Sequence, residues 1–349
     1  MTDLDLPVAV AHGGNLGEAI RRYGIAREHW VDLSTGINPH GYPVPPISPD
    51  AWLRLPDDDD DLEAVAAAHY GAARALAVAG TQAAIRALPR LLPPGCVGVG
   101  LLTYGEYAPA FERAGFRVDR FVTPMLADCR HAAAFVLAPN EPLPAHLKHL
   151  VLVNPNNPGT ESFTRETVAE WHRQLASRGG TLIVDEAFAD AVPASSLASF
   201  ADAEGLIVLR SVGKFFGLAG ARVGFVLGSE RVHGAMRALR GPWAVSGPAR
   251  VAVRAALEDD AWQRAMRASL ADASARLAQL LRSHGMDAVN TALFAWVRDG
   301  NAMRIQDCLA RDGIWVRRFE TVAGLRFGLP PDESAWARLD ASLRAARGR

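Results

Sequence analysis

The sequence has almost no lysine. Among its 37 lysines and arginines only Lys148 and Lys214 are lysine. Arginine therefore carries nearly all the positive charge, and a retained lysine marks a place where a guanidinium would not do. An ammonium can lose its proton and add to a carbonyl carbon, whereas a guanidinium stays protonated. Lys148 lies in the polar stretch His146–His149 and reads as an ordinary exposed lysine. Cysteine is also scarce. Cys96, Cys129 and Cys308 are far apart and form no CxxC pair, which argues against a metal site or disulfide framework and fits a reducing cytoplasm. Net charge is close to nil, −1 over 349 residues, so there is no electrostatic case for nucleic acid or an anionic membrane. No apolar run approaches the roughly 20 residues that span a bilayer. The leading MTDLDLPVAVAHGG is mildly acidic and lacks the long apolar core of a secretory signal. What remains is the profile of a soluble globular protein, 49% apolar and 21% charged, long enough for one large domain and a smaller one.

Short apolar runs alternate with helical patterns between residues 76 and 228. The runs are Leu76–Ala79, Cys96–Leu101, Leu150–Asn154, Thr181–Asp185, Leu206–Ser211 and Val223–Leu227. Helical patterns fall at Ala83–Leu92, Gly105–Ala114 and Arg165–Arg178. This alternation predicts an α/β fold with a mostly parallel sheet covered by helices on both faces. The tail has a long helical stretch, Ala261–Ser283. Short strands follow near Leu293–Val297, Ile314–Arg317 and Leu325–Leu329, then a helix from about Glu333. The expected division is a large domain over 45–230 and a smaller α+β domain over 231–349, with the loop-rich segment 1–44 packed on it or bordering the site. The run Asp57–Asp61 reads as acids at a helix N-terminus, favoured by the helix dipole.

Ligands of such sheets collect at the carboxyl ends of the strands, and the chemically suggestive residues lie there. Lys214 follows the run ending at Ser211, in RSVGKFFGLAGARVG. Ser211 offers a hydroxyl and Arg222 a guanidinium fork suited to phosphate, with Gly213, Gly217 and Gly220 letting the backbone fold tightly between them. An amine beside phosphate donors suits pyridoxal 5′-phosphate (PLP); a glycine-rich loop between two strands fits the same residues. Asp185 ends TLIVD, where a buried acid needs a partner such as a pyridinium nitrogen, or caps a following helix. Glu186 reads as an acid at the surface or behind the site. Asn157, in NPNNPG, sits on an extended turn that could aim its amide at a phenolic oxygen, although Asn-Pro steps are common in turns. Gly80, Thr81 and Gln82 lie between a strand and a helix, a ready anion site. Tyr104 fits a ring-stacking residue or a core tyrosine equally well.

The ordered set AGTQ, TYGEY, NPNNPG, VDEAF, SVGK and GLAGARVG resembles fold-type I PLP enzymes of the aspartate aminotransferase superfamily. It is most similar to the branch that holds histidinol-phosphate aminotransferase and the L-threonine-O-3-phosphate decarboxylase of cobalamin biosynthesis. The resemblance implies that Lys214 binds the cofactor aldehyde, Asp185 the ring nitrogen and Asn157 the ring hydroxyl, while Tyr104 stacks on the ring. It gives the cofactor phosphate to Gly80, Thr81, Gln82, Ser211 and Arg222. It assigns Arg326 to the substrate carboxylate and Arg317, or its neighbour Arg318, to a substrate phosphate. HGGN followed by DLSTGINPHG resembles the decarboxylase type, in which His12, Gly13 and Asn38 approach substrate. The implied function is decarboxylation of a small phosphorylated amino acid by a cytoplasmic homodimer, with a histidinol-phosphate-type aminotransferase as the competing reading. Three positions depart from the pattern. Thr160 stands where a glycine is common, Phe188 where many aminotransferases have a tyrosine, and Leu55 where relatives often have a tyrosine that reaches the neighbouring subunit.

Overall fold

The computed structural model describes residues 12–129 and 134–347. The leading segment 1–11, whose composition bears on targeting, lies outside the described residues. Thirteen strands are present among the described residues: β1 (Val31–Leu33), β2 (Leu76–Val78), β3 (Cys96–Gly100), β4 (Arg117–Val122), β5 (Phe135–Val136), β6 (Leu147–Val153), β7 (Thr181–Asp185), β8 (Leu206–Ser211), β9 (Gly224–Gly228), β10 (Ala288–Thr291), β11 (Phe294–Arg298), β12 (Ile314–Phe319) and β13 (Gly324–Gly328).

Eight of them form one sheet in the order β2-β9-β8-β7-β6-β3-β4-β5. All its pairings are parallel except those of β9, which runs antiparallel to both β2 and β8. Both faces are covered, so the central strands are apolar without alternation. Leu150, Leu152, Leu182, Val184, Leu206 and Val208 enter the core on one face, against Val168, Trp171 and Leu175 of helix Arg165–Ala176. Val151, Val153, Ile183, Ile207 and Leu209 enter the core on the other, with Tyr107, Ala108 and Phe111 of helix Tyr107–Arg113. The Thr164 hydroxyl accepts the Thr167 N–H at the start of the first helix, satisfying one of its open donors. Strand β4 was not anticipated, because Arg117, Asp119 and Arg120 interrupt its apolar pattern.

The second sheet has the order β1-β12-β13-β11-β10, with β1 parallel to β12 and the remaining pairs antiparallel. Helix Asp260–Ser283 starts on Asp259, whose carboxylate accepts the Trp262 N–H, and buries Leu270, Leu277 and Leu281. The short β1 draws the N-terminal segment onto this sheet. From there the chain crosses back to the large sheet through three hydrogen bonds. Asn38 N–H donates to Lys214 O (3.0 Å), Asn38 Nδ2 to Phe215 O (2.8 Å) and Tyr42 N–H to Phe216 O (2.9 Å).

Two charged clusters hold the large sheet's surroundings. The aspartate run does precede helix Leu62–Tyr70, with Asp60 accepting the Leu62 N–H. It also ties that helix to Arg250 of helix Gly247–Glu258: burial pushes the Asp60 carboxyl up, but the Arg250 guanidinium holds it below the ordinary range. The other cluster decides between the two readings of Glu186 in favour of an acid behind the site. It is fully buried and receives Arg210 Nη1 at 2.7 Å, while Arg210 Nη2 reaches Asp190 at 2.7 Å. The cluster joins the ends of β7 and β8, from which Asp185 and Ser211 project. Replacing Arg210 by methionine leaves two buried carboxylates without a cation, so Arg210→Met is expected to cost about 3–5 kcal/mol in urea unfolding. A loss below about 1 kcal/mol, the value of an exposed pair, would show that the cluster does not hold these strands.

Candidate active site

Between the carboxyl ends of the parallel strands and the smaller sheet lies an open cavity of about 640 Å³. Its wall includes Tyr104, Asn157 and Lys214 from the large sheet, Arg317 and Arg326 from β12 and β13, and His12 and Gly13 from the N-terminal segment. The structure thus brings seven of the sequence-predicted residues together in one wall although up to 314 positions separate them.

Lys214 is the centre. Its Nζ lies 5.8 Å from the Phe188 ring centre. Burial pushes this amine down, Arg326 and Arg222 push it further, and Asp185 pulls the other way; the outcome is a pKa of about 8. Asp185, at the end of β7, is buried and accepts the Tyr107 hydroxyl at 2.7 Å and the Ala187 N–H at 3.0 Å. Burial holds its carboxyl above the ordinary range, which is the state of an acid whose site favours a cationic partner. The sequence reading missed Tyr107, since its spacing with Ala108 and Phe111 reads as core.

Arg326 and Arg317 are direct cross-strand partners in the β12–β13 register, so both guanidinium stems leave the same face. Arg326 donates to Asn157 Oδ1 and to the Ser34 carbonyl. Asn157 therefore has its NH₂ end left to donate. Arg326 Nε is buried without a hydrogen-bond partner. Burial and then the neighbouring Arg317 bring the Arg326 pKa down to about 10. Arg318, also on the cavity wall, pairs with Glu320 at 2.6 Å. The N-terminal loop closes on this pair. Gly13 packs so tightly that a Cβ there would stand 2.2 Å from Ser34 O and 3.2 Å from Arg326 Nη2.

The predicted anion cradle forms beside the cavity. Gly80 has φ +73°, and a Cβ on it would meet the Arg222 guanidinium at 2.9 Å. Ser211 pairs with Gly224 across β8–β9, and Gly224 packs against Thr81 N. One expectation needs correction, that for Asn38. Gln82 belongs to the expected anion site through the backbone at the helix start, and its side chain is engaged elsewhere. Its Nε2 donates to Glu106 at 2.6 Å and its Oε1 accepts the Tyr104 hydroxyl at 3.0 Å, so both ends of the amide are spent. Asn38 does not line the cavity, because its amide is spent on the Lys214 segment and on the His40 N–H. At Thr160 the backbone holds the left-handed conformation that glycine adopts freely, φ +68°, so the departure from glycine places a β-branched residue in a strained position. Phe188 stacks edge-on against Phe294 and closes the wall without a hydrogen bond.

Cys96, Asp119 and His146 also bring potential metal ligands within 4.8 Å of one another, on β3, β4 and just before β6. Asp119 is already engaged there by both Arg117 and His146, so the group reads as an ion-paired cluster.

An amine with a pKa near 8 is acylated at lower pH than an ordinary lysine. Titration of the ligand-free protein with an amine-selective acetylating reagent should give half-maximal Lys214 modification near pH 8, read by peptide mass spectrometry. Half-maximal modification near 10.5 would contradict the electrostatic picture.

A family model described as aminotransferase class I and II matches residues 52–339. The chain is 49% identical over 333 residues to a threonine-phosphate decarboxylase of Pseudomonas aeruginosa, covering 95% of this chain and 96% of that one. It is 41% identical over 343 residues to a threonine-phosphate decarboxylase of Sinorhizobium, covering 96% and 97%. Among solved structures, histidinol-phosphate aminotransferase from Sinorhizobium meliloti in complex with pyridoxal-5′-phosphate superposes with a TM-score of 0.77 at 20% identity, covering 99% of this chain and 96% of that one.

Proposed function

The chain belongs to the aminotransferase class I and II family, and from that premise we propose that it is a PLP-dependent carboxy-lyase that converts L-threonine O-3-phosphate into (R)-1-amino-2-propanol phosphate and carbon dioxide, the reaction of cobalamin biosynthesis. The observation that carries the reading is the cross-strand pair Arg317 and Arg326 in the cavity wall beside Lys214. Two guanidiniums side by side and largely buried repel one another, and a substrate bearing both a carboxylate and a phosphate relieves that repulsion. The activity named for both sequence relatives agrees.

The residues present fit the cofactor. Lys214 supplies an amine for its aldehyde and Asp185 a carboxylate for its ring nitrogen. Asn157 offers the NH₂ that Arg326 leaves to donate, and Tyr104 offers a ring face. The glycine cradle at Gly80, under Arg222 and beside Thr81 and Ser211, suits its phosphate. When bound, the pyridine ring accepts the electron pair left on Cα as a bond to it breaks. The chain's own contribution is orientation and proton handling. Arg326 fixes the substrate carboxylate and Arg317 the phosphate, which decides which Cα bond stands across the ring. Lys214 is the amine within the site that would hold a proton for Cα. Phe188 and Phe294 keep water from that side of the cavity.

The exposed apolar side chains Trp52, Leu53, Leu55 and Trp243 support the homodimer reading, since a second copy would cover them. Helix Asp50–Leu53, which carries two of them, leaves all four of its residues unburied. The thiols of Cys96, Cys129 and Cys308 are free, which supports a cytoplasmic setting. Among the described residues no helix is long and apolar enough to cross a membrane.

Purified holoenzyme given L-threonine O-3-phosphate should release carbon dioxide stoichiometrically with the amine phosphate. Lys214→Ala should abolish turnover, and Arg317→Ala and Arg326→Ala should each lower kcat/KM by roughly 10- to 100-fold. No carbon dioxide, with amino transfer from histidinol phosphate to 2-oxoglutarate instead, would replace this reading by the aminotransferase one. Light scattering should give twice the 37.4 kDa chain mass, and Leu53→Asp combined with Leu55→Asp should halve it. A wild-type protein of single-chain mass would remove the dimer.

A further inference from the structure

Glu106 is a buried acid on the edge of a cavity built for anions. A bare carboxylate there would repel the substrate proposed above, so its surroundings need an explanation. Both of its oxygens are taken. Oε1 is 2.6 Å from Nε2 of His12, and Oε2 accepts Gln82 Nε2 at 2.6 Å. Gln82 Oε1 in turn accepts the Tyr104 hydroxyl, and the Tyr104 ring lies 5.7 Å from the His12 ring. Only 8% of Glu106 is exposed, whereas the His12 side chain is 43% exposed and lines the cavity. Burial pushes the Glu106 carboxyl up, yet the hydrogen bonds from His12 and Gln82 hold it below its ordinary range. The acid is thus an anion masked by an imidazole, and the imidazole is the face that the cavity presents.

We propose that Glu106 is a positioning residue that anchors His12 through Nε2 and leaves Nδ1 as the ring nitrogen offered to the anionic end of the substrate. The same carboxylate ties His12, through Gln82, to Tyr104 at the large-sheet wall of the cavity. Two glycines follow His12, but in the fold Gly14 N–H donates to the Ser34 hydroxyl at 2.7 Å and Glu106 fixes the ring. The inference rests on the phosphorylated-substrate reading for its biological meaning, but its geometry holds for any anion at this end of the cavity.

Masking has a distinctive consequence. Removing His12 exposes the Glu106 charge, so His12→Ala loses a ligand and gains a repulsion. Removing the charge as well takes the repulsion away. Inorganic phosphate is the probe, titrated into the holoenzyme by calorimetry. Glu106→Gln should weaken phosphate binding roughly ten-fold, the size of a lost charge-assisted hydrogen bond. His12→Ala should weaken it more, and His12→Ala/Glu106→Gln should bind phosphate as well as His12→Ala or better. Glu106→Asp should recover part of the loss. In turnover of L-threonine O-3-phosphate, Glu106→Gln should raise KM with kcat within about three-fold of wild type.

A residue that merely supports the fold would give additive losses in the double variant. Additive losses, wild-type phosphate affinity in Glu106→Gln, or no phosphate binding by the wild-type holoenzyme would each overturn the proposal. If the phosphate results hold but threonine phosphate is not decarboxylated, the functional reading fails and the positioning role stands. If decarboxylation holds while Glu106→Gln behaves as wild type, the reverse is true.

Discussion

Positive charge is crowded around one amine. Lys214 shares its surroundings with Arg326 and Arg222, and Arg326 in turn faces Arg317 across two strands; against them stands the buried acid Asp185. In a medium of low dielectric such an arrangement is costly, and Lys214, Arg317, Arg326 and Asp185 show it in their proton affinities. The Lys214 amine, with a pKa of about 8, is half-protonated at pH 8, Arg326 is held down to about 10, and Asp185 resists ionisation because of burial. The site is complementary to anions it must recruit: a cofactor phosphate on one side, a substrate carboxylate and phosphate on the other. Specificity for a doubly anionic amino acid and nucleophilicity of the lysine follow from the same imbalance.

Holding that imbalance in place is the task of the scaffold. The carboxyl ends of β7 and β8 carry Asp185 and Ser211, and directly beside them Glu186 and Arg210 form a buried ion pair on the strands' own backbone neighbours. The segment from Asn38 to Tyr42 then straps the backbone of Lys214, Phe215 and Phe216 with three hydrogen bonds. Gly217 has φ +67°, and a Cβ there would fall 2.5 Å from Gly41 Cα, so this crossing depends on glycine. One chain segment therefore fixes the nucleophile and, a few residues earlier, delivers Ser34 to Arg326. The N-terminal segment is part of the site's frame as well as its rim.

Much of this was legible in the sequence. Strands buried on both faces leave continuous apolar runs, and six of the eight large-sheet strands were bounded to within three residues by that signal alone. Lys214 stood out because arginine replaces lysine almost everywhere else. Asp185, Asn157, Arg222 and Arg326 came from ordered motifs. Less visible were β4, whose charged side chains break its apolar pattern, and β1 and β5, too short to show a period.

The sequence by itself determined the α/β class, singled out Lys214 among the basic residues and set the polar residues gathered at strand ends, because those depend on residue type and local period. Only the tertiary structure decided what each polar group does with its hydrogen bonds. It turned Asn38 from a substrate ligand into a strap on the Lys214 loop and made the Gln82 side chain a link between Tyr104 and Glu106. It also set Arg317 opposite Arg326 and sent Arg318 to Glu320. An amide or guanidinium has several donors, and which partner takes them is fixed by long-range packing that no local pattern encodes.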